Sequence, residues 1–192
     1  MNPYRRRVLD MFRGVLRPLA PFARSLDYGG GDGWFAWSFQ QAGLVRDVTA
    51  VDVQRRPRTF APVTCYDGQR LPYPDRSFDL VSSIDVLHHC PSPRASLTEA
   101  LRCSGRYFLL KDHTYRGLAG KFTLGLLDEV GNRRFGVPSL YHYQKQWEWF
   151  PWIEEAGFVL RQLIYPARCH VGPLGWTTNS FQFIGLWERR SS

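Results

Sequence analysis

A glycine-rich stretch after a short apolar segment constrains this chain more than any other feature of its sequence. Residues 25–33 read Ser-Leu-Asp-Tyr-Gly-Gly-Gly-Asp-Gly, with glycine at every second position after Asp27. Glycine adopts backbone conformations that are closed to other residues, and it removes side chains that would hold a ligand away from the main chain. The stretch therefore predicts a turn that binds a ligand, although an isolated glycine cluster is equally typical of an ordinary turn.

The segments that follow place this turn in a parallel crossover unit. Residues 25–29 predict a first strand, residues 34–42 a helix, and residues 48–53 (Val-Thr-Ala-Val-Asp-Val) a second strand. Asp52 lies at the tip of the second strand, about 20 residues after the glycines, where nucleotide-binding folds place an acid that accepts hydrogen bonds from ribose hydroxyls. The glycines and this acid together favour a nucleotide-like ligand over a simple turn.

The remaining elements alternate before the pattern becomes irregular. Residues 78–86 (Phe-Asp-Leu-Val-Ser-Ser-Ile-Asp-Val) are rich in apolar residues over the length of a strand, which favours a strand covered on both faces. Residues 114–146 show weaker periodicity. Further strands are predicted at 59–66, 106–111, 158–165 and 181–188, and helices at 92–103 and 144–156.

Length and composition limit the class of protein. A chain of 192 residues with 44% hydrophobic residues predicts one domain. The formal charge of +8 suits nucleic acid, an anionic membrane surface or an acidic substrate, and charge alone chooses none of them. The four cysteines form no Cys-x-x-Cys pair, and no apolar stretch resembles a signal peptide or a membrane span. A soluble cytoplasmic protein is expected.

The first 24 residues carry a basic amphipathic pattern. Apolar residues recur at helical spacing over residues 4–17 while arginines fall largely between them, and Pro18 follows. Such a helix packs on the domain, caps a ligand site, or makes peripheral contact with a membrane through lipid headgroups. Packing on the domain is the interpretation that the pattern favours.

Four motifs in order resemble the class I S-adenosylmethionine-dependent methyltransferases, in particular the small-molecule group that includes the quinone-biosynthesis enzymes. Residues 26–33 resemble the motif acid-x-Gly-x-Gly-x-Gly, residues 51–53 the second motif, residues 67–73 the adenine-side loop, and residues 77–89 the fourth strand and its following turn. Over residues 24–113 the resemblance rests on motifs, and elsewhere on strand order. It implies an α/β fold with a Rossmann-like, doubly wound, mostly parallel seven-stranded sheet and an antiparallel last strand, and S-adenosyl-L-methionine as cofactor.

The resemblance also implies which residues contact the cofactor. Asp27 would lie near its ammonium group, and Asp52 would accept hydrogen bonds from its ribose. Asp67 would accept one from the adenine amino group, although an Asp-Gly pair is also a good turn. The expected cofactor-binding residues are Asp27, Gly29, Gly31, Gly33, Asp52, Val53, Asp67, Gly68, Ile84 and Asp85.

Catalysis of methyl transfer depends first on positioning. The reaction is an in-line displacement, so much of the rate comes from aligning the acceptor with the methyl group and excluding water. An oxygen or nitrogen acceptor also needs a base, for which histidine is suited near neutral pH. His88, His89 and His113 all lie at the carboxyl ends of predicted strands, and we expect this base to be His89 or His113. His88 ranks below them, because the side chains of an adjacent pair point in different directions. No metal site is predicted.

The acceptor side is expected in residues 114–157. Its aromatic residues either line a pocket for an aromatic or apolar small molecule or pack in the core, and the sequence supports both interpretations equally. Arg133 and Arg134, with the first helix, are candidates for contacting an acidic group or a membrane surface. No RNA-binding module is recognisable, so no nucleic-acid partner is expected, and the oligomeric state is left open. The aromatic residues are Phe135, Tyr141, Tyr143, Trp147, Trp149, Phe150, Trp152 and, further on, Trp176.

Two other functions remain open beside a methyltransferase for a small or lipid-like acceptor. Residues 31–36 formally fit the fingerprint Gly-x-Gly-x-x-Ala of nicotinamide dehydrogenases, and Asp52 would suit their ribose. Against this, Asp27 occupies a strand position that is usually apolar in dinucleotide-binding proteins. The other alternative is a partner or regulatory protein that binds the cofactor without transferring its methyl group, or that uses the sulfonium for other chemistry.

Overall fold

The structure is a computed structural model that describes residues 2–132 and 142–190, without the side chains of residues 119 and 127–132. Four residues named above as acceptor-side candidates therefore lie outside the described residues. These are Arg133, Arg134, Phe135 and Tyr141.

A seven-stranded sheet with the strand order β3-β2-β1-β4-β5-β7-β6 forms the centre of the molecule. The first five strands pair in parallel, whereas β7 is antiparallel to both β5 and β6. The expected α/β, mostly parallel sheet with an antiparallel last strand is thus confirmed. The strands are β1 (Phe22–Tyr28), β2 (Val45–Asp52), β3 (Val63–Cys65), β4 (Phe78–Ile84), β5 (Ser104–His113), β6 (Phe158–Ile164) and β7 (Gln182–Arg189).

Helices cover both faces of the sheet. The first, α1, buries Val8, Leu9, Phe12, Val15 and Leu16, which pack with the sheet residue Leu109 in one of two cores. Its arginines other than Arg5 are exposed, so α1 packs on the sheet as the favoured interpretation predicted. The helices are α1 (Pro3–Leu16), α2 (Trp34–Gln41), α3 (Pro93–Cys103), α4 (Gly117–Asn132), α5 (Trp149–Glu155) and α6 (Gly172–Thr178).

Several element boundaries differ from the predictions for local reasons. The helix predicted from residue 144 begins only at Trp149, because Gln146 and Trp147 have positive φ angles of 48° and 70°. The strand predicted over residues 59–66 shortens to Val63–Cys65, since Pro62 has no N–H with which to extend the pairing.

Two helices were not predicted at all. In α4, Gly120 and Leu124 are buried, whereas Leu118, Phe122 and Leu126 are exposed on the opposite side. Apolar residues on both sides of a helix erase the one-sided periodicity by which helices are recognised. The seven residues of α6 include two glycines and a proline, which are poor helix formers.

None of the helices within the described residues is both long and apolar enough to cross a membrane.

The parallel arrangement brings the carboxyl ends of β1, β2, β4 and β5 to one edge of the sheet. Ligands of open α/β sheets bind outside this edge. Because β7 is antiparallel, it begins at the same edge, with Gln182 opposite His113. The candidate site is therefore built from loops that meet at this edge.

Candidate functional site

The turn after β1 exposes its main chain. Gly29, Gly31 and Gly33 have φ angles of 76°, 60° and 72°, which disfavour residues with a side chain. A Cβ atom on Gly29 would lie 2.3 Å from a methyl carbon of Val86, so this position also has no room. A Cβ atom on Gly31 would point into open space, which leaves its main chain accessible to a ligand.

Asp27 is a buried carboxyl beside this turn. Its Oδ1 accepts a hydrogen bond from the Ser82 hydroxyl at 3.1 Å, while its buried Oδ2 makes no hydrogen bond within the described part of the chain. A Cβ atom on Gly30 would lie 3.0 Å from that Oδ2 atom. Burial raises the pKa of Asp27 to about 7, although the Ser82 hydroxyl and the Ala36 amide lower it. Asp27 therefore presents an unused acceptor at the glycine turn.

Asp52 joins the end of β2 to the same turn. Its Oδ2 accepts the Gly31 N–H at 2.8 Å, and its Oδ1 accepts the Gln54 N–H at 2.8 Å. The next residue, Val53, is 60% exposed, and a Cβ atom on Gly68 would lie 3.1 Å from Val53 Cγ1. Asp52, Val53 and Gly68 thus form a continuous wall next to the glycine turn.

Asp67 is exposed at the outer end of this wall. Its Oδ1 accepts the Gln69 N–H at 2.9 Å, as expected of an aspartate that stabilises its own turn. The turn interpretation of the Asp-Gly pair therefore holds in the structure. The role of Asp67 towards adenine stays a prediction.

Asp85, directly after β4, has a buried cationic partner that the sequence did not reveal. Lys111 of β5 is fully buried, and its Nζ donates hydrogen bonds to Asp85 and to Gln182. Burial raises the pKa of Asp85, but the charges of Lys111 and His113 and the hydrogen bonds from Lys111 and Tyr4 together outweigh burial and lower that pKa overall. Asp85 therefore remains a carboxylate, held in a left-handed backbone conformation with φ at 57°. Ile84, before it, is buried at the end of β4.

The start of α1 lies across the two loops. The Tyr4 hydroxyl donates to Asp85 Oδ2 at 2.5 Å, and Arg5 pairs with Asp32 of the glycine turn at 2.7 Å. These contacts join residues that are distant in sequence, so no local pattern could have predicted them. They place the start of α1 over the glycine turn and the end of β4, and the capping of a ligand site by this helix stays a prediction.

A cluster of histidines and an aspartate lies beyond the ends of β4 and β5. His88 Nδ1 is 2.6 Å from Asp112 Oδ1, and both side chains are buried. The same Asp112 oxygen accepts a hydrogen bond from the main-chain N–H of His113 at 2.7 Å. The His113 ring lies perpendicular to that of His88, with centroids 4.8 Å apart, and the His89 ring lies 4.1 Å from His88 on another side.

The charges in this cluster give the rings different roles. Burial would raise the pKa of Asp112, but His88 and His113 outweigh burial and hold that pKa below its ordinary value. Burial and the nearby Lys111 cation lower the pKa of His113, which keeps its imidazole neutral at neutral pH. The His113 side chain is 15% exposed, whereas that of His88 is 2% exposed. Of these two rings, His113 is the one that a ligand can reach.

The chain matches a known protein family over most of its length. A family model described as a methyltransferase domain matches residues 1–164 of the chain. The chain belongs to this methyltransferase family. Its cofactor is accordingly S-adenosyl-L-methionine, as the motifs implied.

The chain is similar in sequence to two curated methyltransferases and in structure to a third. It is 28% identical over 155 residues to a demethylmenaquinone methyltransferase of Renibacterium salmoninarum, covering 73% of this chain and 62% of that one. It is 29% identical over 200 residues to a 27-O-demethylrifamycin SV methyltransferase of Amycolatopsis mediterranei, covering 95% and 70%. The chain thus spans about two thirds of the length of these relatives.

The solved structure is an S-adenosylmethionine-dependent methyltransferase from Mesorhizobium loti. The two chains superpose with a TM-score of 0.62 at 15% identity, over 92% of this chain and 96% of that one. At this identity the likeness concerns the fold alone. Together with the family match, the antiparallel β7 argues against the nicotinamide alternative, whose dinucleotide-binding sheet has the order 3-2-1-4-5-6.

The methyltransferase domain also brings together three residues that could by type ligate a metal. The donor atoms of His88, Asp112 and His113 lie within 4.8 Å of one another. The separation of 2.6 Å between His88 and Asp112 is, however, that of a charge-assisted hydrogen bond. The cluster is therefore a hydrogen-bonded group, and the expectation of no metal stays a prediction.

The aromatic residues of the acceptor side divide between core and cavity. Trp149 is fully buried and belongs to the core, whereas Trp176 is 83% exposed. Trp147 packs against Phe183 and also borders a cavity of about 160 Å³ that adjoins the end of β5. Packing in the core is thus confirmed for Trp149, whereas binding of an acceptor by the residues at the cavity stays a prediction. The cavity is lined by Thr114, Tyr115, Arg116, Trp147, Tyr165, Ser180 and Phe181.

Proposed function

We propose that this protein transfers the methyl group of S-adenosylmethionine to an oxygen or nitrogen atom of a small or lipid-like acceptor with aromatic or apolar character. The observation that carries this proposal is His113, a neutral and partly exposed imidazole at the carboxyl end of β5. A neutral imidazole accepts the proton that such an acceptor loses when its oxygen or nitrogen attacks the methyl carbon. The assignment of the base to His113 rather than His89 rests on its place beside Asp112 and Asp85.

The residues around the glycine turn fit the cofactor. The unused Oδ2 of Asp27 would accept a hydrogen bond from its ammonium group, and the Asp52 carboxylate would accept from its ribose hydroxyls. Val53 offers an exposed apolar surface to the adenine, and the open face of Gly31 permits close approach. When bound, the cofactor supplies a methyl group already activated by the positive sulfur.

The other residues of the histidine cluster position His113. Asp112 Oδ1 accepts a hydrogen bond from the main-chain N–H of His113 and lies 3.5 Å from Nδ1 of the His113 ring. His88 in turn binds Asp112 and fixes the carboxylate. Since both supporting side chains are buried, we assign them positioning roles and assign the proton transfer to His113.

Two observations support an aromatic or apolar acceptor. The cavity beside the end of β5 has aromatic walls, and a cavity of this size holds about one aromatic ring. The curated relatives are named for demethylmenaquinone and 27-O-demethylrifamycin SV, which are both small organic acceptors rather than macromolecules. The acceptor would enter from this side and meet the methyl group near His113.

Incubation of the protein with methyl-labelled cofactor and a cell extract tests the proposal. Label in a small product that partitions into an organic solvent supports it. Binding of the cofactor in calorimetry without label in any product would contradict it, and would favour the alternative of a cofactor-binding partner or regulatory protein.

Substitution of Asp52 tests the cofactor assignment. Asp52→Ala is expected to weaken binding of S-adenosylmethionine by about 1–3 kcal/mol, the cost of losing hydrogen bonds to a charged group. Calorimetric titration measures the change. Asp47→Ala provides the control, because Asp47 is an exposed acid on the same strand and should bind the cofactor as the wild type does. Equal affinity of the two variants would remove Asp52 from the site.

Asp27 predicts a pH dependence of cofactor binding. Because its pKa is raised to about 7, the carboxyl is protonated below that pH and must lose a proton before it can accept from an ammonium group. Affinity should therefore rise by up to about tenfold per pH unit as the pH increases towards 7, and then level off. Titrations between pH 5.5 and 7.5 measure this in the wild type and in Asp27→Asn. A slope that persists in Asp27→Asn would assign the dependence to another group.

A further inference from the structure

The Nδ1 atom of His113 makes no hydrogen bond that would fix the ring. This atom is buried and has no hydrogen-bond partner within the described part of the chain. Asp112 Oδ1 lies 3.5 Å from it, which is beyond the ordinary length of a hydrogen bond. A general base has to lie within hydrogen-bond reach of the proton that it abstracts. The orientation of the His113 ring therefore depends on the side chains that pack against it.

Tyr143 is an aromatic residue of the acceptor-side segment that packs on the histidine cluster. Its ring centroid lies 5.5 Å from that of His88 and 6.2 Å from that of His113, and its plane is at 74° to the His113 ring. Both separations are in the range at which aromatic rings attract each other, and the angle to His113 is that of an edge-to-face contact. Because Tyr143 is only 6% exposed, its ring also excludes water from this side of the cluster.

Contacts of the neighbouring residues fix the place of Tyr143. The His142 ring donates a hydrogen bond through Nδ1 to the main-chain oxygen of Cys90 at 2.9 Å, and the buried Gln144 side chain donates to the main-chain oxygen of His142 at 2.9 Å. The Tyr143 hydroxyl donates to the main-chain oxygen of Leu124 at 3.5 Å, which is a long and weak hydrogen bond. The ring of Tyr143, rather than its hydroxyl, therefore makes the contact with the cluster.

We propose that Tyr143 is a positioning residue for methyl transfer, whose ring holds the His113 ring in place for proton transfer. The same ring shields the hydrogen bond between His88 and Asp112 from water. The inference rests on the proposed role of His113 as the base. It assigns Tyr143 no contact with the acceptor, so the residue acts through His113.

The proton between His88 and Asp112 tests the shielding without any acceptor. Because its lowered pKa keeps Asp112 a carboxylate, the proton belongs to His88 Nδ1, and NMR measures its exchange with water. Tyr143→Ala should accelerate this exchange about tenfold or more, because it opens the cluster locally. Tyr143→Phe, which keeps the ring, should behave like the wild type.

Tyr107→Ala is the matched control for this measurement. Tyr107 is 4% exposed and lies in the first half of β5, away from the histidine cluster. Its substitution removes a buried ring of the same size, so it reports the effect of lost stability alone. Equal acceleration in Tyr107→Ala and Tyr143→Ala, or no acceleration in Tyr143→Ala, would overturn the inference.

Steady-state kinetics distinguish a positioning role from binding of the acceptor. Tyr143→Ala should lower kcat about 10–10²-fold, the usual cost of a misplaced reacting group, while the affinity for the cofactor stays within about twofold. Tyr143→Phe should keep the wild-type kcat. A raised KM for the acceptor with unchanged kcat in Tyr143→Ala would contradict the inference, because Tyr143 would then only bind the acceptor.

The double variant Tyr143→Ala/His113→Ala separates this inference from the proposed base. If Tyr143 acts through His113, its substitution should not lower kcat further once His113 is alanine, and multiplied losses would overturn the inference. If His113→Ala lowers kcat and Tyr143→Ala does not, the inference is wrong and the proposed base stands. If His113→Ala leaves kcat unchanged, the proposed base is wrong and the inference fails with it. Circular dichroism verifies that each variant is folded.

Discussion

His113→Ala should lower kcat by about 10²–10⁴-fold, the range that a positioned general base contributes. The affinity for S-adenosylmethionine should stay within about twofold of the wild type, because His113 lies on the acceptor side of the edge and is not among the groups assigned to the cofactor. The rate of label transfer to the identified acceptor measures the first quantity, and calorimetric titration of the cofactor measures the second.

The pH profile separates loss of a base from loss of structure. The wild-type rate should fall with decreasing pH as His113 becomes protonated, at a pH below the usual histidine range because burial and Lys111 lower its pKa. This limb should vanish in His113→Ala, and added imidazole should restore part of the rate. His89→Ala serves as the comparison, since both histidines were expected candidates. A larger loss in His89→Ala than in His113→Ala would transfer the role to His89.

Asp112→Ala should lower the free energy of unfolding by about 3–5 kcal/mol, the usual result of breaking a buried charged pair. The substitution removes the carboxylate that binds both the His88 ring and the His113 N–H. Urea denaturation at neutral pH measures the difference. Because the pKa of Asp112 is lowered in the folded protein, its contribution is present above the ordinary pKa of an aspartate and is lost as the pH falls below it.

Asp75→Ala is the matched control for this experiment. Asp75 pairs with Arg102 at 2.7 Å, but its side chain is 69% exposed, so solvent screens the pair and Asp75→Ala should cost far less stability than Asp112→Ala. If the two substitutions have similar costs, the His88–Asp112 contact does not stabilise the fold in the way that its burial indicates.

The first half of the fold could be predicted because its signals are local. Residues 78–84 are rich in apolar residues because both faces of β4 are covered, and Gly29, Gly31 and Gly33 after β1 occupy positions with positive φ angles. Asp52 follows from its position at the tip of a strand. In each case neighbouring residues in sequence carry the whole pattern.

The rest of the site depends on contacts between distant residues. Tyr4 reaches Asp85 across the fold. Lys111 occupies a position inside an apolar strand, where Asp85, Gln182 and the Tyr4 ring are its partners. Sequence reasoning recognised that His88 and His89 point in different directions, but it could not tell which of them faces Asp112. That choice is made by the turn Leu87–His89, whose conformation no local pattern reports.

The antiparallel direction of β7 has a consequence for how this protein can change over evolution. The connection from β6 to β7 leaves and re-enters the sheet at the edge that carries His113, and Asp27 and Asp52 belong to other strands far away in sequence. Insertions and substitutions within residues 166–180 therefore leave the register of β1 and β2 untouched. This connection can change while the glycine turn, Asp27 and Asp52 keep their places.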